Sequence, residues 1–334
     1  MAFDEDEDHP WQAGRAVSVR PQGDGFVSVM RQAIADGDWG SASIVIGPGD
    51  NPREGNQATA SGAAFIQKSE KFKVWYECNS ICLPINAGST CLARFNDVGG
   101  TPAGRLAFHA TKLRFGDWVP AFGGSPAVAK EMPDTALSAT AASDGFLFVT
   151  IRAAMFAQMG GVEGLIGEQA VASSFVHWAE SSQPYPQQSF CIPVPARSRY
   201  SIQRVFPMSA PTIQAFWIPI VSTEWVMKEA EPHRDTNTVI SAGTNGILHG
   251  RIYAAHDRQR GTLKIYVGRD ADVATPTAQS YVAASVQLDQ QSNRFVPRNS
   301  LMLPVAIGTR YQAVTQSPLE DLPVDLFWTP LVPA

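Results

Sequence analysis

The sequence predicts an all-β chain of three tandem antiparallel β-sandwich modules, jelly-roll-like, behind an extended N-terminal arm. Two observations carry that prediction. The first is a repeat: Ser189-Phe-Cys-Ile-Pro-Val-Pro-Ala-Arg-Ser-Arg-Tyr200 recurs as Ser300-Leu-Met-Leu-Pro-Val-Ala-Ile-Gly-Thr-Arg-Tyr311. Its flanks recur too. Ser143-Asp-Gly-Phe-Leu-Phe-Val-Thr-Ile-Arg-Ala-Ala154 matches Thr244-Asn-Gly-Ile-Leu-His-Gly-Arg-Ile-Tyr-Ala-Ala255, and Ala215-Phe-Trp-Ile-Pro-Ile220 matches Leu326-Phe-Trp-Thr-Pro-Leu331. Pro193 to Trp217 is 24 residues and so is Pro304 to Trp328, so spacing and residues repeat together. The second observation is periodicity. No stretch holds a 3.6-residue apolar period over three turns, whereas alternating runs such as Gly261-Thr-Leu-Lys-Ile-Tyr-Val267 recur between Gly and Pro punctuation, as half-buried strands do.

In chain order, residues 1–36 form the expected arm. Five consecutive acids, Asp4 to Asp8, repel one another and stay solvated. Trp11, Val17 and Val19 behind them are the candidate docking residues for a partner, since short apolar segments beside charged runs often order on binding. The first module, 37–113, is a diverged copy: Asn79-Ser-Ile-Cys-Leu-Pro-Ile85 fits the repeat around Pro84, and counting 24 onward reaches Phe108. A Gly- and Pro-bearing linker is expected over 114–142, the second module over 143–220, a second linker over 221–243 and the third module over 244–334. Asp-Gly and Asn-Gly open the last two modules as tight reversals. Pro193 and Pro304 cannot donate to a ladder and belong at a strand start, an edge or a bulge.

Composition narrows the function. The chain has 334 residues, 44% apolar and 17% charged, with net charge -5, which gives no basic face for nucleic acid. No apolar run is long enough to insert in a membrane, and the acidic start is unlike a signal peptide. Cys82, Cys191 and Met302 share one repeat column, so the thiols read as buried apolar side chains. Cys78 and Cys82, about 13 Å apart on one strand, are too far for a bridge. No paired C-x-x-C arrangement suggests a metal, and no nucleophile elbow, phosphate loop or zinc helix suggests catalysis or a cofactor. His249 takes the column of Phe148 and reads as a substitute aromatic. The remaining candidate is a carbohydrate-binding stretch, where Trp178 and Tyr185 can stack on sugar rings beside Glu180, Gln183 and Gln187.

The Asp-Gly strand start, the Ser-x-x-x-Pro-Val-x-x-Gly-Thr-x-Tyr segment and the closing Phe-Trp-x-Pro-Leu resemble β-sandwich repeats of tailed-bacteriophage virion surface proteins, fibres and receptor-binding proteins among them. The resemblance covers the second and third modules and reaches the first loosely. It implies a non-enzymatic part of the virion, made in the host cytoplasm. Such a part is homo-oligomeric, often trimeric, docks on other virion proteins through its N-terminal segment and faces a host glycan at its distal end. With no coiled coil or repetitive shaft, a short spike or knob is expected rather than a long fibre. A carbohydrate-binding module array and a polysaccharide-degrading enzyme are the alternatives.

Overall fold

The computed structural model describes all residues except 1–2, 11–15, 48–59, 72–73, 101, 124–126, 129–135, 154–157, 178–186, 206–211, 234–236, 269–281, 290–293 and 318–321. Among the described residues there are only strands and turns, and every strand pairing is antiparallel. The first part of the chain supplies β1 (Phe3–Pro10), β2 (Ala16–Val19), β3 (Gly25–Gln32), β4 (Trp39–Gly47), β5 (Ala60–Ser69), β6 (Val74–Tyr76), β7 (Cys78–Ile85), β8 (Thr90–Gly99) and β9 (Ala103–Thr111). They form sheets ordered β1-β9-β3-β7 and β2-β8-β4-β5-β6.

The second part supplies β10 (Val119–Pro120), β11 (Ala127–Val128), β12 (Leu137–Thr140), β13 (Gly145–Arg152), β14 (Met159–Ile166), β15 (Gln169–His177), β16 (Gln187–Val194), β17 (Arg199–Val205) and β18 (Thr212–Pro219). Its sheets run β10-β18-β13-β16, with β11 also on β18, and β12-β17-β14-β15. The third supplies β19 (Trp225–Met227), β20 (Glu231–His233), β21 (Val239–Ser241), β22 (Asn245–Tyr253), β23 (Arg260–Gly268), β24 (Val282–Asp289), β25 (Arg294–Val296), β26 (Arg298–Val305), β27 (Arg310–Gln316) and β28 (Val324–Pro333). Its sheets run β19-β28-β22-β26, with β20 also on β28, and β21-β27-β23-β24-β25. With the short β6 and β25 set aside and a split outer strand counted once, each part reads 1-8-3-6 over 2-7-4-5. That is the order of a jelly roll.

Register ties the three units together residue by residue. Pro84, Pro193 and Pro304 stand opposite Phe26, Phe146 and Ile247. Phe108, Trp217 and Trp328 stand opposite Val27, Leu147 and Leu248. Tyr200 stacks on Trp217 at 5.1 Å between ring centroids, and Tyr311 on Trp328 at 5.8 Å. In the first unit the same columns hold Cys91 and Phe108, a smaller pair.

The expected boundaries shift. The segment read as an arm, 1–36, contributes β1, β2 and the central strand β3 to the first unit's own sheets. The expected linkers contribute likewise, with β10, β11 and β12 in 114–142 and β19, β20 and β21 in 221–243. The second and third units therefore start two strands, the first of them split, before the repeat becomes recognisable, and the first unit starts three strands before its expected boundary. Those outer strands are short and pair along one edge only, so fewer of their side chains are held by neighbours.

The units close on one another in a ring. Strand β5 packs on β16, β15 on β26, and β24 back on β7, while β7, β16 and β26 also meet one another. In the common numbering, strand 5 of each unit meets strand 6 of the next, and the third unit returns to the first. This is pseudo-threefold symmetry within one polypeptide. The outward residues of β3 and β13 fill the interior of the ring, where Phe26, Phe115 and Phe146 meet edge to face at 5.3 to 6.0 Å. Cys82, Cys191 and Met302 are buried in that same cluster.

Candidate functional site

Two of the three repeated serines are seam residues. Ser80 on β7 accepts from Ala283 N and donates to Ala283 O, both at 2.9 Å, reaching from the first unit into β24 of the third. Ser300 on β26 does the same with Ser173 on β15 of the second unit, at 3.2 and 2.8 Å. A serine hydroxyl is both donor and acceptor, so one side chain satisfies an N–H and a C=O of an edge strand that would otherwise be buried unpaired. Ser189 holds the same position on β16, and its hydroxyl donates to Thr150 Oγ1 at 3.0 Å.

The three seams differ in chemistry. Between the first and second units it is aromatic, as above. Between the second and third it is ionic: Glu163, buried on β14, pairs with Arg298 and with Arg251, the latter at 3.0 Å, while Arg251 also holds Asp325 at 2.7 Å. Between the third and first it is a hydrogen-bonded layer. Asn79 Oδ1 accepts from Ser285 N and Asn299 Nδ2, both at 2.8 Å, and Arg260 lies over the Trp75 ring at 3.3 Å.

A second repeated group sits where the units join. Asp24 Oδ1 accepts from Ala87 N at 2.8 Å and its Oδ2 from Phe115 N at 2.6 Å. Asp144 repeats this with Ala196 N and Met227 N, both at 2.6 Å. Each carboxylate clamps a turn of its own unit to the stretch that leads into or opens the next, Phe115 ahead of β10 and Met227 at the end of β19. Asn245, in the third unit, accepts from the corresponding Ile307 N at 3.0 Å.

Of the sequence candidates, Gln187, Val17 and Val19 lie among the described residues. Trp178, Glu180, Gln183, Tyr185 and Trp11 lie outside the described residues. Gln187, at the start of β16, donates its amide to Thr150 Oγ1 at 3.1 Å. Val17 and Val19, expected to dock a partner, lie on β2 opposite Ala93 and Cys91 and pack into the core of their own unit. Val19 is buried there and Val17 half-buried.

His249 shares a hydrogen bond with Thr329 Oγ1 at 3.0 Å and stacks on Phe327, and burial pushes its pKa down to about 3. It is neutral at pH 7, in the column where Phe148 stands. His109 is buried against Ser28 Oγ at 2.9 Å. Burial pushes the Cys78 and Cys91 thiols up to about 12, which removes the thiolate that reactivity requires. Among the described residues no cluster of His, Cys, Asp and Glu is arranged to hold a metal.

Sequence reasoning missed the seam serines and the clamping aspartates. Both stood in the repeat. The serine stands among apolar neighbours that give no hint of a partner across a seam, and the aspartate stands in an Asp-Gly reversal whose turn chemistry accounts for it without a clamp. No protein-family model matches the chain, and no curated protein matches it.

Proposed function

We propose that this chain is a non-enzymatic structural protein of a tailed-bacteriophage virion, a short spike, knob or tail-tip component that braces neighbouring proteins and presents loops toward the host surface. One observation supports the reading most: three jelly rolls close around a pseudo-threefold axis, and two of the repeated serines, Ser80 and Ser300, bond across the seams that close it. In this reading the trimer implied by the resemblance is supplied inside one polypeptide.

The test is mass spectrometry and immunolabelling of purified particles from the phage that encodes the chain. A fixed copy number per particle is expected. Its absence from particles, with the protein accumulating free in the lysate, would overturn the reading.

A further inference from the structure

We propose that the seams act as a sorting code: side chains at three repeated positions decide which unit closes on which, and they bar a second copy of the chain from taking a unit's place in the ring. One position lies on strand 4, beside the strand 5 that each unit presents to the next. There Ser43, Glu163 and Lys264 share a column, opposite Arg94, Gln203 and Val314, each three residues past Cys91, Tyr200 and Tyr311. The other two lie on the strands that receive that face. Strand 6 carries Cys78, Gln187 and Arg298, each six residues before Pro84, Pro193 and Pro304, and strand 3 carries Met30, Thr150 and Arg251.

The native order gives the buried carboxylate its cations. Glu163 of the second unit meets Arg251 and Arg298 of the third, and Gln203 donates to its other oxygen at 3.0 Å. Where the third unit meets the first, Met30, Cys78 and Ala283 pack together. Lys264 stands opposite Ala283 in the ladder, near enough for its charge to work against the rise in the Cys78 pKa. It is half-buried, so a long stem can lie on that apolar surface while the ammonium stays hydrated. Other pairings fail. The second unit's face on the first unit's strands would bury Glu163 against Met30 and Cys78 with no cation. The third unit's face on the third unit of another copy would set Lys264 against Arg251 and Arg298, like charge on like. The first unit's face there would offer Ser43 and leave both arginines without the carboxylate they share. A buried charge that loses its partner is strongly disfavoured, so each mismatch carries its own penalty, and discrimination follows from those penalties rather than from added affinity in the right pairing.

The experiment unfolds full-length chains in urea, refolds them over a range of protein concentrations and sizes the products by light scattering. Wild type is expected to return as monomer throughout. Lys264→Glu gives the third unit's face the carboxylate that Arg251 and Arg298 accept, so two copies can join third unit to third unit. Its oligomeric fraction is expected to exceed that of wild type at least about tenfold and to rise with concentration, while Lys264→Gln stays as wild type. Glu163→Ser/Arg251→Thr/Arg298→Gln writes the residues of the first seam onto the second and is expected to lose fidelity likewise. Urea midpoints of the monomer fractions separate wrong pairing from instability, and should the triple variant fail to fold, the two Lys264 variants decide. Monomeric refolding of Lys264→Glu at wild-type yield, an equal rise in Lys264→Gln, or oligomers from wild type itself would overturn the proposal.

Discussion

Arg31 is fully buried on β3, in the column where its sister units place Ile151 and Ile252. The compensation is directly across the ladder, where Gly104 stands in the column of Ile213 and Val324. A Cβ on Gly104 would lie 2.9 Å from Arg31 Nη1, so the guanidinium occupies the volume that two aliphatic side chains fill elsewhere. It donates to Pro102 O at 3.1 Å and lies 5.2 Å from the Phe95 ring centroid. Arg31→Ile alone should cost about 2 kcal/mol by leaving a void, and Gly104→Val alone at least about as much by collision. Arg31→Ile/Gly104→Val together should recover most of the loss, with a coupling above about 1 kcal/mol in urea denaturation. Additive losses would refute the swap. The swap also explains why the first copy was faint in the sequence: Ser28, Met30 and Arg31 replace Phe148, Thr150 and Ile151, so apolar matching fails where backbone register holds.

His249 makes a second prediction at this scale. Its folded pKa, about 3, lies below the ordinary histidine value, so between those two the unfolded chain binds the extra proton. The stability it contributes is whole above roughly pH 6.5 and falls by about 1.4 kcal/mol per pH unit as pH drops toward its folded value. His249→Phe/Thr329→Ile, which copies the Phe148 and Ile218 pair of the second unit, should lack that slope. Urea titrations at pH 7 and pH 5 should show the variant losing less stability than wild type, and equal losses would contradict the assignment.

At the scale of elements, the clamps and seams set what each strand must do. Asp144 takes two backbone N–H groups, one of them in the next unit, whereas Asn245 is seen to take one. Hydrogen bonds to charged groups contribute roughly 1.5 to 3 kcal/mol each, against about 1 for neutral ones. Asp144→Ala should therefore destabilise by about 3 kcal/mol or more and Asn245→Ala by about 1, read from denaturation midpoints; equal costs would remove the inter-unit role. Glu163 meets two arginines across the ionic seam, and Glu163→Ala would leave them facing each other. A loss of about 3 kcal/mol is expected. A neutral result would show that the seam is held by packing alone. The strands that carry the shared residues, β13, β16, β18, β22, β26 and β28, were the legible ones. The outer strands β10 to β12 and β19 to β21 were read as linker, since Pro, Gly and short length mark edge strands and connectors alike.

On the scale of the whole molecule, the sandwich character followed from repeat and alternation, but the ring did not. Nothing in the spacing of Ser80, Ser189 and Ser300 says whether their partners lie within a unit or across a seam, because hydrogen-bond capacity is a property of the side chain and partner choice one of tertiary placement. The same holds for the sugar-binding candidates, of which Gln187 is committed to Thr150. Closure makes the three units interdependent. Removing the third would uncover the ring interior with Phe26 and Phe146, and a chain ending before β19 should aggregate or unfold well below the full-length melting temperature. The ring is also what separates one compact body from three beads on a string, and the two differ in size at equal mass.

Small-angle X-ray scattering on a dilute sample tests closure most directly, since one curve reports both mass and dimension. Closure within one chain predicts a 36.0 kDa particle with a radius of gyration near the compact-domain expectation of about 20 Å for this length. A particle of that mass with a radius of gyration of about 30 Å, as for three units in file, would contradict it.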